Sequence, residues 1–221
     1  MATRKNKPAI GDYKGTIDTL VLSTWKDIDV AKSKPGKRRK KTTSVKLIQQ
    51  NTIFGMVSRF FKSAKALINL GYQQPKVVKM TKFNAAVSYH LENAVSGNPA
   101  DASLILSKIK LTCPIRKTQS GWNPVLSSAA ENKVTVTWEI NPFPQKCTQL
   151  DDTVLLVFYD TTYKLFFSIY DVVKRSDLSY TMIFQKRFTG HEMCCYMFLV
   201  SADGKLVSET DYLGMVTIIA D

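Results

Sequence analysis

Apolar residues along this chain recur at two different spacings, strand-like before Val45 and again beyond Pro99, and helical in between. Between Gly11 and Lys34, the residues Ile17, Leu20, Val21, Leu22, Trp25, Ile28 and Val30 are punctuated by Gly11 and Gly15. This texture predicts a β-hairpin or short meander. From Val45 the spacing turns helical: Val45, Ile48, Ile53, Phe54, Val57, Phe60, Phe61, Ala64, Leu67 and Ile68 fall on one stripe. Thr42, Thr43 or Ser44 is placed to cap that helix, Gly55 offers a bend, and Gly71 a C-terminal stop near Leu70. A second helix is expected after Thr81. Phe83, Val87, Leu91, Ala94 and Val95 share one of its faces, and it ends before Gly97-Asn98-Pro99.

Beyond Pro99 the period falls to two. Lys133 to Ile140 alternates, with Val134, Val136, Trp138 and Ile140 expected inward and Lys133, Thr135, Thr137 and Glu139 outward. Further strands are expected at Leu104–Leu111, Val154–Tyr159, Leu165–Tyr170, Tyr180–Phe184, Met193–Val200 and Tyr212–Ile219. Ala202-Asp203-Gly204-Lys205 forms a tight turn into Leu206–Ser208. Seven or eight short strands in this length suit an antiparallel β-sandwich of immunoglobulin-like size. The predicted fold is therefore α+β. A basic N-terminal region (1–98: arm, β-hairpin and two helices) precedes a β-sandwich domain (99–221).

Charge changes the picture more than composition does. The 221 residues carry a net +13 with 44% hydrophobic residues, enough apolar content for a real core. Residues 1–80 hold 18 Lys+Arg against 4 Asp+Glu, whereas residues 81–221 hold 13 against 14. A solvated surface mixes both signs, so one end of this chain is suited to something anionic. Lys32 to Lys41 alone supplies seven cations in ten residues around a Pro-Gly turn. The candidate polyanion-binding residues are Arg4, Lys5, Lys7, Lys32, Lys34, Lys37, Arg38, Arg39, Lys40 and Lys41. Arg59, Lys62 and Lys65 join them, stepping by three along the first helix on a face other than the apolar one.

The sequence carries no catalytic kit. His90 and His191 lie in different elements, without metal-ligand spacing to Cys, Asp or Glu, and phosphate-cradling glycine loops and nucleophile elbows are absent. His90 reads as a half-buried packing residue, Gly190-His191-Glu192 as a turn, and Asp151-Asp152 as a loop. Cys194 and Cys195, being neighbours in a strand, point to opposite faces, and the four cysteines are expected as reduced thiols. No apolar run reaches the length of a membrane span, and the basic first residues are not followed by a signal-peptide core. The expectation is no catalytic residue, no metal and no cofactor, in a protein of the cytoplasm or of a virion.

Several stretches resemble an uncharacterised family, a domain of unknown function found mainly in Bacteroidetes genomes. They are Trp25-Lys26 with Lys32-Ser33-Lys34-Pro35, Gln49-Gln50 leading into Phe54, Val57 and Phe60, and Phe83-Asn84-Ala85-Ala86 with Ser88-Tyr89. Ser201 to Ser208 with Tyr212-Leu213-Gly214 completes the set. The chain departs from the family in Asp27, where a Gly usually follows Trp-Lys, and in its long Arg/Lys run. The resemblance implies no activity and no functional residue. It implies that the basic half and the sandwich belong to one protein.

Two functions follow as expectations. One is a non-catalytic structural or assembly protein, a phage-type virion or capsid-associated component whose basic region contacts nucleic acid or an acidic partner subunit. The alternative is a cytoplasmic, sequence-independent nucleic-acid-binding protein.

Overall fold

The computed structural model describes residues 2–4, 14–25, 28–36, 44–73, 80–97 and 101–220. They fall into two compact units, 1–44 and 45–221. In the first, β1 (Ala2–Arg4), β2 (Gly15–Ile17), β3 (Leu20–Trp25) and β4 (Ile28–Ser33) form an antiparallel sheet of order β1-β4-β3-β2. Ile17 pairs with Leu20 across a two-residue turn, where Asp18 takes a left-handed φ of 49°. The expected meander is present. Ala2–Arg4, expected as an arm, instead pairs along β4, Ala2 with Ala31 and Arg4 with Asp29. An unpaired strand edge offers amides and carbonyls that a neighbouring backbone satisfies.

The second unit begins with α1 (Val45–Ser63), α2 (Lys65–Gly71) and α3 (Lys82–Asn93), followed by the two-residue strands β5 (Val95–Ser96) and β6 (Ser103–Leu104). The single helix expected to Leu70 is broken at Ala64, which leaves helical geometry at φ −95° and ψ 15°. Its apolar stripe is also shorter than the spacing predicts. Val57, Phe60, Phe61, Ala64, Leu67 and Ile68 are buried, but Val45, Ile48 and Phe54 are 69%, 53% and 54% exposed. The first turns of α1 stand clear of the core. Thr81 caps α3, its hydroxyl accepting from the Asn84 amide at 3.1 Å.

The sandwich strands are β7 (Trp122–Ala129), β8 (Lys133–Glu139), β9 (Thr153–Asp160), β10 (Phe166–Lys174), β11 (Ser179–Ile183), β12 (Glu192–Val200) and β13 (Asp211–Thr217). They form two antiparallel sheets, β11-β8-β7 and β10-β9-β12-β13. The first, second and fifth strands thus share one sheet and the other four share its partner, the crossed connectivity of an immunoglobulin-like sandwich. In β8, Val134, Val136 and Trp138 are buried as the alternation predicts. Ile140 is exposed, because the strand ends at Glu139 and the chain leaves the sheet. Leu104–Leu111 is not a strand beyond β6; it turns through a short 3-10 helix at Leu106–Lys108.

The middle sheet is covered on both sides. Val154, Leu156 and Phe158 of β9, with Met193, Cys195, Met197 and Leu199 of β12, pack against Val134, Val136 and Trp138. The opposite parity, Leu155, Val157 and Tyr159 with Cys194, Tyr196, Phe198 and Val200, packs against the three helices. The unit is therefore three layers: helices, four-stranded sheet, three-stranded sheet. The near-continuous apolar runs of β9 and β12 follow from this, since a strand buried on both faces has no polar parity. The helices share their core with the strands of the four-stranded sheet.

Candidate functional site

Phe60 sets the geometry at the end of α1. Its ring meets Tyr159 edge-on at 4.9 Å and Phe166 at 5.0 Å, docking the helix over the ends of β9 and β10. Beside this contact runs a groove of about 1210 Å³, open to solvent. Its floor is apolar, formed by Met56, Phe60, Leu104, Leu106 and Tyr159, and Ile48 extends it along α1. Arg59 and Lys62, flanking Phe60 on the helix, line one wall. Lys164, from the turn between β9 and β10, lines the groove as well. None of the groove's lining residues is an Asp or Glu. A shallower depression beside it is lined by Ser58, Arg59, Lys62, Lys65 and Phe83.

The turn that carries Lys164 is held by its own hydrogen bonds. The Asp160 amide donates to the Leu165 carbonyl at 2.9 Å, and the Thr162 amide donates to Asp160 Oδ1 at 2.8 Å. His191 Nδ1 lies 3.0 Å from the other oxygen of this fully buried carboxylate. His191 is thus more than the turn residue it was expected to be; it anchors the loop that presents Lys164.

The predicted basic residues divide three ways. Lys5, Lys7, Lys37, Arg38, Arg39, Lys40 and Lys41 lie outside the described residues, and Arg4 contributes its backbone to β1. Lys32 and Lys34, at the end of β4, are exposed in the first unit. Arg59, Lys62 and Lys65 are exposed and brought together along α1 and α2, as their spacing predicts. The four Lys or Arg ion pairs found among the described residues, and the His191–Asp160 contact, use none of these side chains. Lys164 is the residue that sequence reasoning missed: a single lysine in a turn carries no periodic signal.

Two groups expected to be bland are buried and ordered. His90 is fully buried rather than half-buried. Its Nε2 accepts from the Lys110 amide at 2.9 Å, so the proton sits on Nδ1, which donates to the Ala86 carbonyl at 2.7 Å. Burial pushes its pKa down to about 4. Asp152, expected in a loop, lies in one just ahead of β9 but is fully buried and pairs with Arg175 at 2.9 Å. The Thr118 hydroxyl donates to the same carboxylate oxygen at 2.8 Å, and Arg175 also donates to the Gln119 and Ser120 carbonyls. Cys194 and Cys195 point into the two different cores, and burial pushes both thiols up, away from reactive thiolate.

Among the described residues no group of three His, Cys, Asp or Glu side chains is placed to hold a metal, and no helix is long and apolar enough to cross a membrane. What remains is a β-sandwich protein with an added helical layer and a cation-walled groove. The chain belongs to a family of unknown function (DUF6266), whose match runs over residues 12–214 and so spans the basic meander, the helices and nearly all of the sandwich. No curated protein matches it. Among solved structures it is similar to the fn3 domain of the human collagen alpha-1(XX) chain, at 12% identity over 48% of this chain and 89% of that one, with a TM-score of 0.37. A structure described as a myokine matches at 10% identity over 47% and 99%, with a TM-score of 0.35. A cytokine receptor complex matches at 11% identity over 55% and 58%, also with a TM-score of 0.35. The sandwich assignment rests on strand order and core packing, not on these distant likenesses.

Proposed function

We propose that this protein is a non-catalytic assembly component, of phage-type virion or capsid-associated kind, acting in the cytoplasm or within a particle. Its cationic region contacts nucleic acid or an acidic partner subunit there. One observation carries the reading: the candidate cations whose exposure is described, Lys32, Lys34, Arg59, Lys62 and Lys65, are exposed, and no ion pair among the described residues neutralises them. A cation left unpaired at a surface is available to a phosphate or carboxylate, and each one seated on a phosphate releases condensed counterion. A family spread mainly through Bacteroidetes, as the resemblance implies, suits a component of their phages or mobile elements.

The test is salt dependence. Affinity for duplex and single-stranded oligonucleotides should fall linearly on a log–log plot against salt. Neutralising Lys37, Arg38, Arg39, Lys40 and Lys41 together should lower the duplex slope by about 4.5 if all five sit on phosphates. A flat salt response, or a slope unchanged in that variant, would refute nucleic-acid contact by the basic tract.

A further inference from the structure

We propose that the groove beside α1 receives an acidic amphipathic segment of a partner protein, seated as a helix with apolar residues on the floor and Asp or Glu against Arg59, Lys62 and Lys164. The proposal deepens the assembly reading and rests on it. The groove's makeup is what selects this occupant. Its volume, about 1210 Å³, exceeds the roughly 300–1,000 Å³ of small-molecule clefts. Its apolar floor continues onto the exposed first turns of α1, where Ile48 lines the groove at 53% exposure. An apolar strip of this kind, rimmed by charge, is a recurring mark of a protein-docking surface. Three cations and no carboxylate among the lining residues give that surface a single sign, which excludes basic partners by repulsion and favours acidic ones.

Nucleic acid fits the groove less well. Single strands bind by stacking bases on open aromatic faces, but Phe60 and Tyr159 are each only 8% exposed and already pack against each other. The aliphatic floor of Met56, Leu104 and Leu106 offers nothing to a phosphate. The turn that presents Lys164 is also built in advance, because the Asp160 and His191 contacts hold it, so its backbone needs no ordering on binding.

The probe is a fluorescein-labelled 15-residue peptide with Leu at helical spacing and Glu on its flanks, compared with a twin carrying Lys at every Glu. Fluorescence anisotropy with the full chain should show the Glu peptide binding at least about tenfold tighter than the Lys peptide. Ile48→Asp and Lys164→Glu should each weaken it about fivefold or more. Both positions are exposed, so both variants should fold, and unchanged thermal transitions would verify this. Equal binding of the two peptides, no binding of the Glu peptide, or binding indifferent to both variants overturns the proposal. Displacement of the Glu peptide by an oligothymidylate whose own binding is lost in Ile48→Asp would assign the groove to nucleic acid, and self-association lost in that variant would assign it to a second copy; either result also overturns it. Neutralising Lys37 to Lys41 should spare peptide binding. Loss of peptide binding with oligonucleotide binding intact therefore fails the groove alone, and the reverse fails the nucleic-acid contact alone.

Discussion

His90 on α3 accepts a hydrogen bond at Nε2 from the backbone amide of Lys110, 2.9 Å away, while its Nδ1 proton is given to Ala86. This neutral imidazole joins the helical layer to the segment that follows the short 3-10 helix, and Phe61 packs against its face at 4.3 Å.

Protonation must break that joint, because an imidazolium has no acceptor left for the Lys110 amide. The unfolded chain takes up the proton near pH 6.5, while burial holds the folded group down to about 4. The stability tied to His90 is thus complete above pH 6.5 and falls by about 3 kcal/mol as pH drops to 4. Asp211 opposes this trend. Burial pushes its carboxyl up to about 6, so its contribution falls as pH rises from 3.8 to 6. In an Asp211→Asn background, urea unfolding should therefore show a marked loss of stability between pH 7 and pH 4, and adding His90→Gln should flatten it. The same slope in both proteins would mean that another group takes up the proton.

Arg175 and Asp152 are 4% and 0% exposed, and the Arg175 Nε and Asp152 Oδ1 have no hydrogen-bond partner. Removing one charge strands the other. Arg175→Met should cost about 3–5 kcal/mol in denaturant unfolding, whereas Arg175→Met with Asp152→Leu should recover most of that loss. Additive losses in the double variant would show that the pair is not coupled.

Glycine has two different uses in the helical layer. A Cβ at Gly71 would overlap the Leu111 carbonyl oxygen and stand 2.8 Å from Thr112 Cγ2, so Gly71→Ala should destabilise by about 1–3 kcal/mol. A Cβ at Gly55, inside α1, meets nothing within 4 Å. Gly55→Ala should stabilise by roughly 0.5–1 kcal/mol through helix propensity, as thermal unfolding can measure. A neutral Gly71→Ala would mean that the chain at Leu111–Thr112 is free to shift.

The sequence made some of this legible and hid the rest for physical reasons. The parity of Val134, Val136 and Trp138 was plain because β8 buries one face, and the step of three from Arg59 to Lys65 survives in the fold as one exposed strip. The helical cover over β9 was not legible, since a strand apolar at every position does not say what lies on each side. The break at Ala64 was hidden by the residue itself, the best helix former available. β7 is absent from the expected strands; its start is irregular, with Asn123 at a left-handed φ of 45° beside a bulge in an edge strand, where Pro124 is tolerated. Asp152 and Arg175 are 23 residues apart, and only tertiary folding reveals that they meet.

The layer of helices laid across β9 and β12 means this sandwich is no interchangeable bead. Peeled away from residues 45–97, it would present a greasy wall of Leu155, Val157, Tyr159, Tyr196 and Phe198 to water. Such a module cannot be lent to another protein by cutting ahead of its first strand; whatever inherits the strands must inherit their lid as well.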